Sequence, residues 1–175
     1  MLSGIKYDKL KKKGDIQMNK KMMYGVIIAI IVIALLLGAY FLFFRENGKR
    51  EINLEELNNQ MAQQGEFDQM ATMDIDKQVL SSIYGIEENL VQQVIGKMPM
   101  MNVQASLYLV IEATDGNVET VKEKLEEYGK SYEEQWSRYL PAQYELVQQR
   151  KIGTNGNYAY FIVCEKAQDL EKLVK

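Results

Sequence analysis

Met22 to Phe44 read MMYGVIIAIIVIALLLGAYFLFF, twenty-three positions in a row without a charge, a carboxamide or a proline. As a helix rising 1.5 Å per residue, this run covers ~34 Å, enough to cross a hydrocarbon core of ~30 Å with some tilt. In lipid every backbone amide needs an internal partner, so so long and apolar a run is read as one spanning helix. It divides the chain into a short basic tail (residues 1–21), the span (22–44), a polar tether (45–52) and a foldable acidic domain (53–175).

The flanks give an orientation. Lys6, Lys9, Lys11, Lys12, Lys13, Lys20 and Lys21 precede the span against only Asp8 and Asp15, whereas Arg45, Lys49 and Arg50 are interleaved with Glu46 and Glu51 after it. Positive charge resists translocation, so the tail is expected in the cytoplasm and the domain outside the cell membrane. A cleaved signal peptide needs a shorter apolar core and small residues at a cleavage site. This core is long and closes on Ala39-Tyr-Phe-Leu-Phe-Phe44, and no cysteine follows it for lipidation. An uncleaved, single-pass signal anchor is the expectation. Gly25 and Ala29 form a small-xxx-small pair that would allow a weak homodimer through the span. Residues 1–17 are charged and aperiodic, which predicts disorder. Met18 is an alternative start, because Lys12-Lys13-Gly14-Asp15 can be written in purine-rich, ribosome-binding-like codons.

Composition narrows the function classes. From residue 46 onward there are 22 acidic against 13 basic residues, which argues against nucleic acid as a partner. The chain has no histidine, so the commonest general base and the commonest metal ligand are both missing. Its one cysteine, Cys164, cannot form an internal disulfide, which points to a bacterial envelope rather than a eukaryotic secreted domain.

The domain reads as α+β. Asn53 is placed to cap a helix carrying Leu54, Leu57 and Met61 on one face and ending at Gly65. Asp74 to Tyr84 predicts a short helix with Ile75, Val79, Leu80 and Ile83 inward, stopped by a left-handed Gly85. Leu90 to Met98 fits a helix or a strand and ends at Pro99. Ser106 to Ala113 is a strand with near-continuous burial. Asp115 or Asn117 would cap a long helix whose apolar face runs Val118, Val121, Leu125, Tyr128, Tyr132, Trp136 and Tyr139, with Pro141 ending it. Tyr144–Ile152 and Tyr158–Cys164 predict two strands around a Gly153–Asn157 loop, and Ala167–Val174 a closing helix. The expectation is an antiparallel sheet of about four strands with helices on one face.

Ser82-Ile-Tyr-Gly-Ile86, Met98-Pro-Met-Met-Asn-Val-Gln-Ala-Ser106, Tyr139-Leu-Pro141 and Gly156-Asn-Tyr158 carry a resemblance over residues 53–174. In their order and spacing they are similar to a domain family of unknown function. The family is found in membrane-anchored proteins and lipoproteins of low-GC Gram-positive bacteria, chiefly clostridia. The resemblance implies a tethered envelope domain accessory to envelope polymer handling, and it supplies no catalytic residues.

The residues themselves show no enzyme constellation. Glu87/Glu88, Glu126/Glu127 and Glu133/Glu134 are adjacent pairs on solvated faces, not two carboxyls in one cleft. Glu112 is the one carboxylate with apolar neighbours, and Cys164 lacks a histidine to activate it. Two alternatives remain for binding. Met98, Met100 and Met101, with Met61, Met70 and Met73, supply soft thioethers suited to Cu(I), or ordinary adaptable core. Tyr132, Trp136 and Tyr139 form either a stacking surface for sugar rings or the seat of a helix on its sheet, the second being favoured. The expected protein is a non-catalytic membrane-anchored binding module that needs no cofactor and works with the bilayer and an envelope or membrane protein partner; the alternatives are Cu(I) binding by the methionine cluster and an envelope enzyme with an unrecognised site.

Overall fold

A computed structural model describes residues 20–47 and 51–175 in two units that part after Asn47. The expected disordered tail and the Met18 start lie outside the described residues. Helix α1 (Lys20–Asn47) runs three residues beyond the apolar stretch. Its window Met23–Tyr40 has a mean hydropathy of 2.6 and is exposed throughout, so it is long and apolar enough to cross a membrane.

The second unit is built on a five-stranded antiparallel sheet of order β1-β2-β3-β5-β4. Its strands are β1 (Thr72–Asp74), β2 (Val91–Pro99), β3 (Leu107–Ala113), β4 (Lys151–Asn155) and β5 (Tyr158–Val163). Successive side chains of a strand point to opposite faces, so β3 and β5 each supply two cores. On one face Leu107, Leu109, Ile111, Ala159, Phe161 and Val163 lie under α3 (Lys77–Tyr84), α4 (Val118–Ser137) and α5 (Pro141–Gln148). On the other, Tyr108, Val110, Tyr158, Tyr160 and Ile162 meet α2 (Leu54–Gln64) and α6 (Ala167–Val174). Helices therefore cover both faces, where one was expected. The apolar runs Leu107–Ile111 in β3 and Tyr158–Val163 in β5 are the consequence, since over these residues neither strand has a water-facing side.

Several local signals act as the sequence suggests. The Asn53 side chain accepts from the Glu56 N–H at 3.1 Å, and Leu54, Leu57 and Met61 are buried. Gly85 closes α3 at φ 64°. Of Leu90–Met98, which fits helix or strand by sequence, Leu90 ends a 3-10 turn (Glu88–Leu90) and Val91 onward is strand, paired with β3 from Val91↔Ala113 to Lys97↔Tyr108.

Other elements differ. The fifth strand, β1, occupies residues expected in a loop and at a helix start. It pairs with only Lys97–Pro99, and Ile75 continues it by donating its N–H to the Gly96 carbonyl. Asp76 then caps α3, accepting from the Val79 N–H at 2.8 Å. This shift turns Ile83 outward, 44% exposed, and Tyr84 inward. Gly65 does end α2, yet with right-handed φ; the left-handed residue is Glu66, at φ 61°. Asn117 stands at the N-cap of α4 without capping it, its amide donating to Thr114 Oγ1 instead, while Asp115 accepts from Asn157. Helix α4 ends at Ser137, before Pro141, which opens α5 at a position where a missing N–H costs nothing. The expected strand at Tyr144 is thus helix as far as Gln148, and β4 begins only at Lys151. The hairpin turn shrinks to Gly156-Asn157, with Gly156 at φ 58°.

Gly96 lets β2 and β3 close up. A methyl placed there would lie 2.5 Å from the Tyr108 carbonyl oxygen and 3.1 Å from Leu109 Cα, backbone atoms that cannot swing aside. Gly96→Ala is expected to destabilise the domain by about 1–3 kcal/mol, as overpacking does. The check is a lower urea midpoint at unchanged m-value; an unaltered midpoint would contradict this packing.

Candidate functional site

A polar cleft, a shallow groove and most of the domain's exposed apolar side chains gather at one end of the sheet. That end holds the last residues of β2, the first of β3 and the last of β5, in the register Lys97↔Tyr108 and Leu107↔Val163. Ile52 lies at the opposite end, where its N–H donates to the Tyr158 hydroxyl at 3.2 Å and Tyr158 pairs with Glu112. Leu107 and Glu112 are five strand steps apart, about 17 Å.

A polar cleft of about 360 Å³ opens at the first end. It is assembled from the turn after α2 (Gly65, Glu66, Gln69, Met70), the approach to β3 (Gln104, Ser106), α5 (Gln143, Leu146) and the stretch after β5 (Cys164–Lys166). Gln143 Oε1 accepts from the Ala105 N–H at 2.7 Å, and the buried Tyr132 hydroxyl donates to the Ala105 carbonyl at 3.1 Å. Two helices thereby fix the peptide that leads into β3. Glu66, in the left-handed region at a cost of roughly 1 kcal/mol, is held across the rim by its ion pair with Lys166. Burial pushes the Cys164 thiol up to about 11, so at neutral pH it is a protonated, unreactive group beside the cleft.

Next to the cleft is an apolar patch. Met100, Met101 and Val103 on the β2–β3 loop are 66%, 58% and 49% exposed, and Tyr139 in the α4–α5 turn is 60% exposed. Leu140 adjoins Tyr139, and Met73 is the cross-strand partner of Met98. A shallow groove of about 340 Å³ joins the two loops, with Asn102 on one side and Gln135, Trp136, Arg138 and Tyr139 on the other.

The methionines are scattered between environments. Met98 packs with the α4-side core and Met61 with the α2-side core, so the sheet separates them. Among the described residues no cluster of three acidic, cysteine or histidine side chains could hold a metal ion. Of the carboxylate pairs, Glu133 bonds Arg150 at 2.7 Å, and Glu126, Glu127 and Glu134 each face a lysine or arginine on their own helix. Glu112 lines a third, polar hollow beside Glu51, Glu55 and Tyr158.

The aromatic row divides. Tyr84, Tyr128, Tyr132, Trp136 and Tyr139 follow one another with ring centroids 4.2, 5.4, 6.0 and 5.8 Å apart. Tyr132 and Trp136 are 7% and 2% exposed and serve as the seat of α4; Tyr139 alone turns outward. The Tyr84 hydroxyl and Trp136 Nε1 are buried without a hydrogen-bond partner among the described residues. Burial raises the phenols of Tyr84, Tyr108 and Tyr128, and pushes that of Tyr132 up to about 12. At Tyr160 burial and the bond to Glu171 act the same way.

Such a domain behind an apolar helix is an α+β module with a polar cleft and exposed apolar side chains at one end of its sheet. Residues 65–164 match the family described as Domain of unknown function (DUF4358), and the chain belongs to it. No curated protein and no solved structure matches the chain. The cleft residues Gln69 and Gln143 carried no signal in the sequence, and Gln104 and Ser106 entered only as members of the Met98–Ser106 motif, because four separated segments build the site.

The raised phenols set a pH dependence. An unfolded tyrosine ionises near pH 10, and the folded ones resist, so their stabilisation is complete below about pH 10 and is lost as pH rises through the folded values. Absorbance at 295 nm is expected to show these tyrosines ionising together with cooperative unfolding above about pH 10. Smooth titration of all phenols with the fold intact would contradict their burial.

Proposed function

We propose that the chain is a membrane-anchored, extracytoplasmic, non-catalytic interaction module of a Gram-positive cell envelope, accessory to the handling of an envelope polymer. The apolar run of α1 and the lysine excess before it support an anchor with its N-terminus in the cytoplasm. The family resemblance supports the envelope setting.

The observation that carries the interaction reading is the concentration of exposed apolar side chains at one end of the domain. Apart from Ile83, the domain's large exposed hydrophobics are Met73, Met100, Met101, Val103, Tyr139 and Leu140, all on or beside the β2–β3 loop and the α4–α5 turn. Exposed apolar side chains concentrated in this way support an interaction surface, and flexible methionines adapt to the face of a partner.

Two measurements test this. Alkaline phosphatase fused after Lys175 is expected to be active in cells; an inactive fusion, with β-galactosidase active at the same point, would overturn the orientation. Mild cross-linking and purification of the full chain from its own membranes should yield a discrete stoichiometric partner. Capture should fall about tenfold or more for a triple Met100→Ser, Met101→Ser, Tyr139→Ser variant, as expected when anchor residues are truncated. Equal recovery with the variant, once Trp136 fluorescence shows it folded, would remove the patch from the interaction. Recovery of bulk membrane proteins alone would overturn the module reading.

A further inference from the structure

We infer that the polar cleft between the α2 turn and α5 is a binding site for a neutral, hydroxyl-rich ligand, a short saccharide. Its volume of about 360 Å³ falls within the range of small-molecule sites, roughly 300–1,000 Å³, and is too small for a folded partner. The inference goes beyond partner docking, which uses the neighbouring apolar patch.

The lining chemistry selects the ligand. The carboxamides of Gln69 and Gln104 and the hydroxyl of Ser106 have no protein partner among the described residues, and each can both donate and accept. Hydroxyl groups of a sugar, themselves donors and acceptors, satisfy such a set without regard to charge. Gln143 is already oriented, because its Oε1 is committed to the Ala105 N–H; the two N–H donors on its other end remain for a ligand. A group fixed before binding loses little entropy when it binds. Met70 and Leu146 add apolar surface against which the C–H face of a sugar ring can lie.

Two other ligand classes fit poorly. An anion would need a free cation, yet the one lysine of the cleft, Lys166, is paired with Glu66, and Glu165 adds a negative charge. An extended peptide binds best by adding to an open strand edge. The strand ends beside this cleft, Leu107 and Val163, are paired with each other, so the cleft presents no such edge.

Isothermal titration of the full chain in nanodiscs tests the assignment. The probes are maltotriose and N-acetylglucosamine trimer as neutral sugars, a galacturonic acid trimer as an anionic one, and tetra-alanine as a peptide. Saturable binding of a neutral trimer is expected, weakened about tenfold by Gln69→Ala with Gln104→Ala at an unchanged melting midpoint, as loss of two hydrogen bonds predicts. Gln143→Met is the further variant, and it should weaken binding in the same sense. Saturation by only the anionic trimer or only the peptide would overturn the ligand class. Binding untouched by the glutamine substitutions would overturn the site, and no saturable heat from any probe at millimolar concentration would overturn the proposal. Partner capture reads the apolar patch, so the two results are independent.

Discussion

Burial of β3 and β5 on both faces is the constraint from which the rest of this domain follows. A strand with water on one side can alternate apolar and polar residues, but these two must find apolar or internally satisfied partners at every position. Where a polar atom is carried in, it is led to the margin of a layer. Tyr108 packs edge-on against Phe67 at 4.8 Å while its hydroxyl donates to Asn58 Oδ1 at 2.7 Å. Tyr160 likewise sends its hydroxyl to Glu171 at 2.7 Å. Burial alone would raise the Glu171 carboxyl, yet hydrogen bonds from Tyr160 and Lys175 prevail and hold it below the usual range. The helices on each side are thus positioned by where the two central strands need cover.

The same constraint explains what could be read in the sequence. Asn53, Gly85 and the apolar run of β3 announce themselves within a few residues, because a cap, a left-handed stop and a doubly buried strand are local chemistry. Strand β1 is different. Three residues long, it exists because the end of β2 offers Lys97–Pro99 an open edge, and nothing in Thr72-Met-Asp states that alone. Helix α5 was hidden for another reason: Tyr144, Leu146 and Val147 suit a strand by composition, and contact with α4 decides for helix. Nothing in the sequences of α2 and α6 says which face of the sheet they cover, and both lie on the face opposite α4. The cleft is the extreme case, its polar groups being distant in the chain and unremarkable in type.

Polar cleft and apolar patch flank one loop, residues 100–106, and the way that loop is held lets both exist. Ala105 is fixed by Tyr132 on one side and Gln143 on the other, so the residues before it are free to stay at the surface while those after it enter the sheet. Tyr132 therefore bears on this end of the sheet from inside the core, whereas Tyr139, further along the same row, reaches the surface itself. The aromatic row connects interior and surface.

A shared floor also has a consequence for how the domain comes apart. Trp136 belongs to one core and Cys164 to the other, yet both cores rest on β3 and β5. Removing the α4 layer would leave Leu109, Ile111 and Phe161 in water; removing the α2 layer would do the same to Val110 and Ile162. Neither half-structure retains enough burial to offset the entropy of keeping the strands ordered. The two layers are one cooperative unit, in which the domain is either whole or lost.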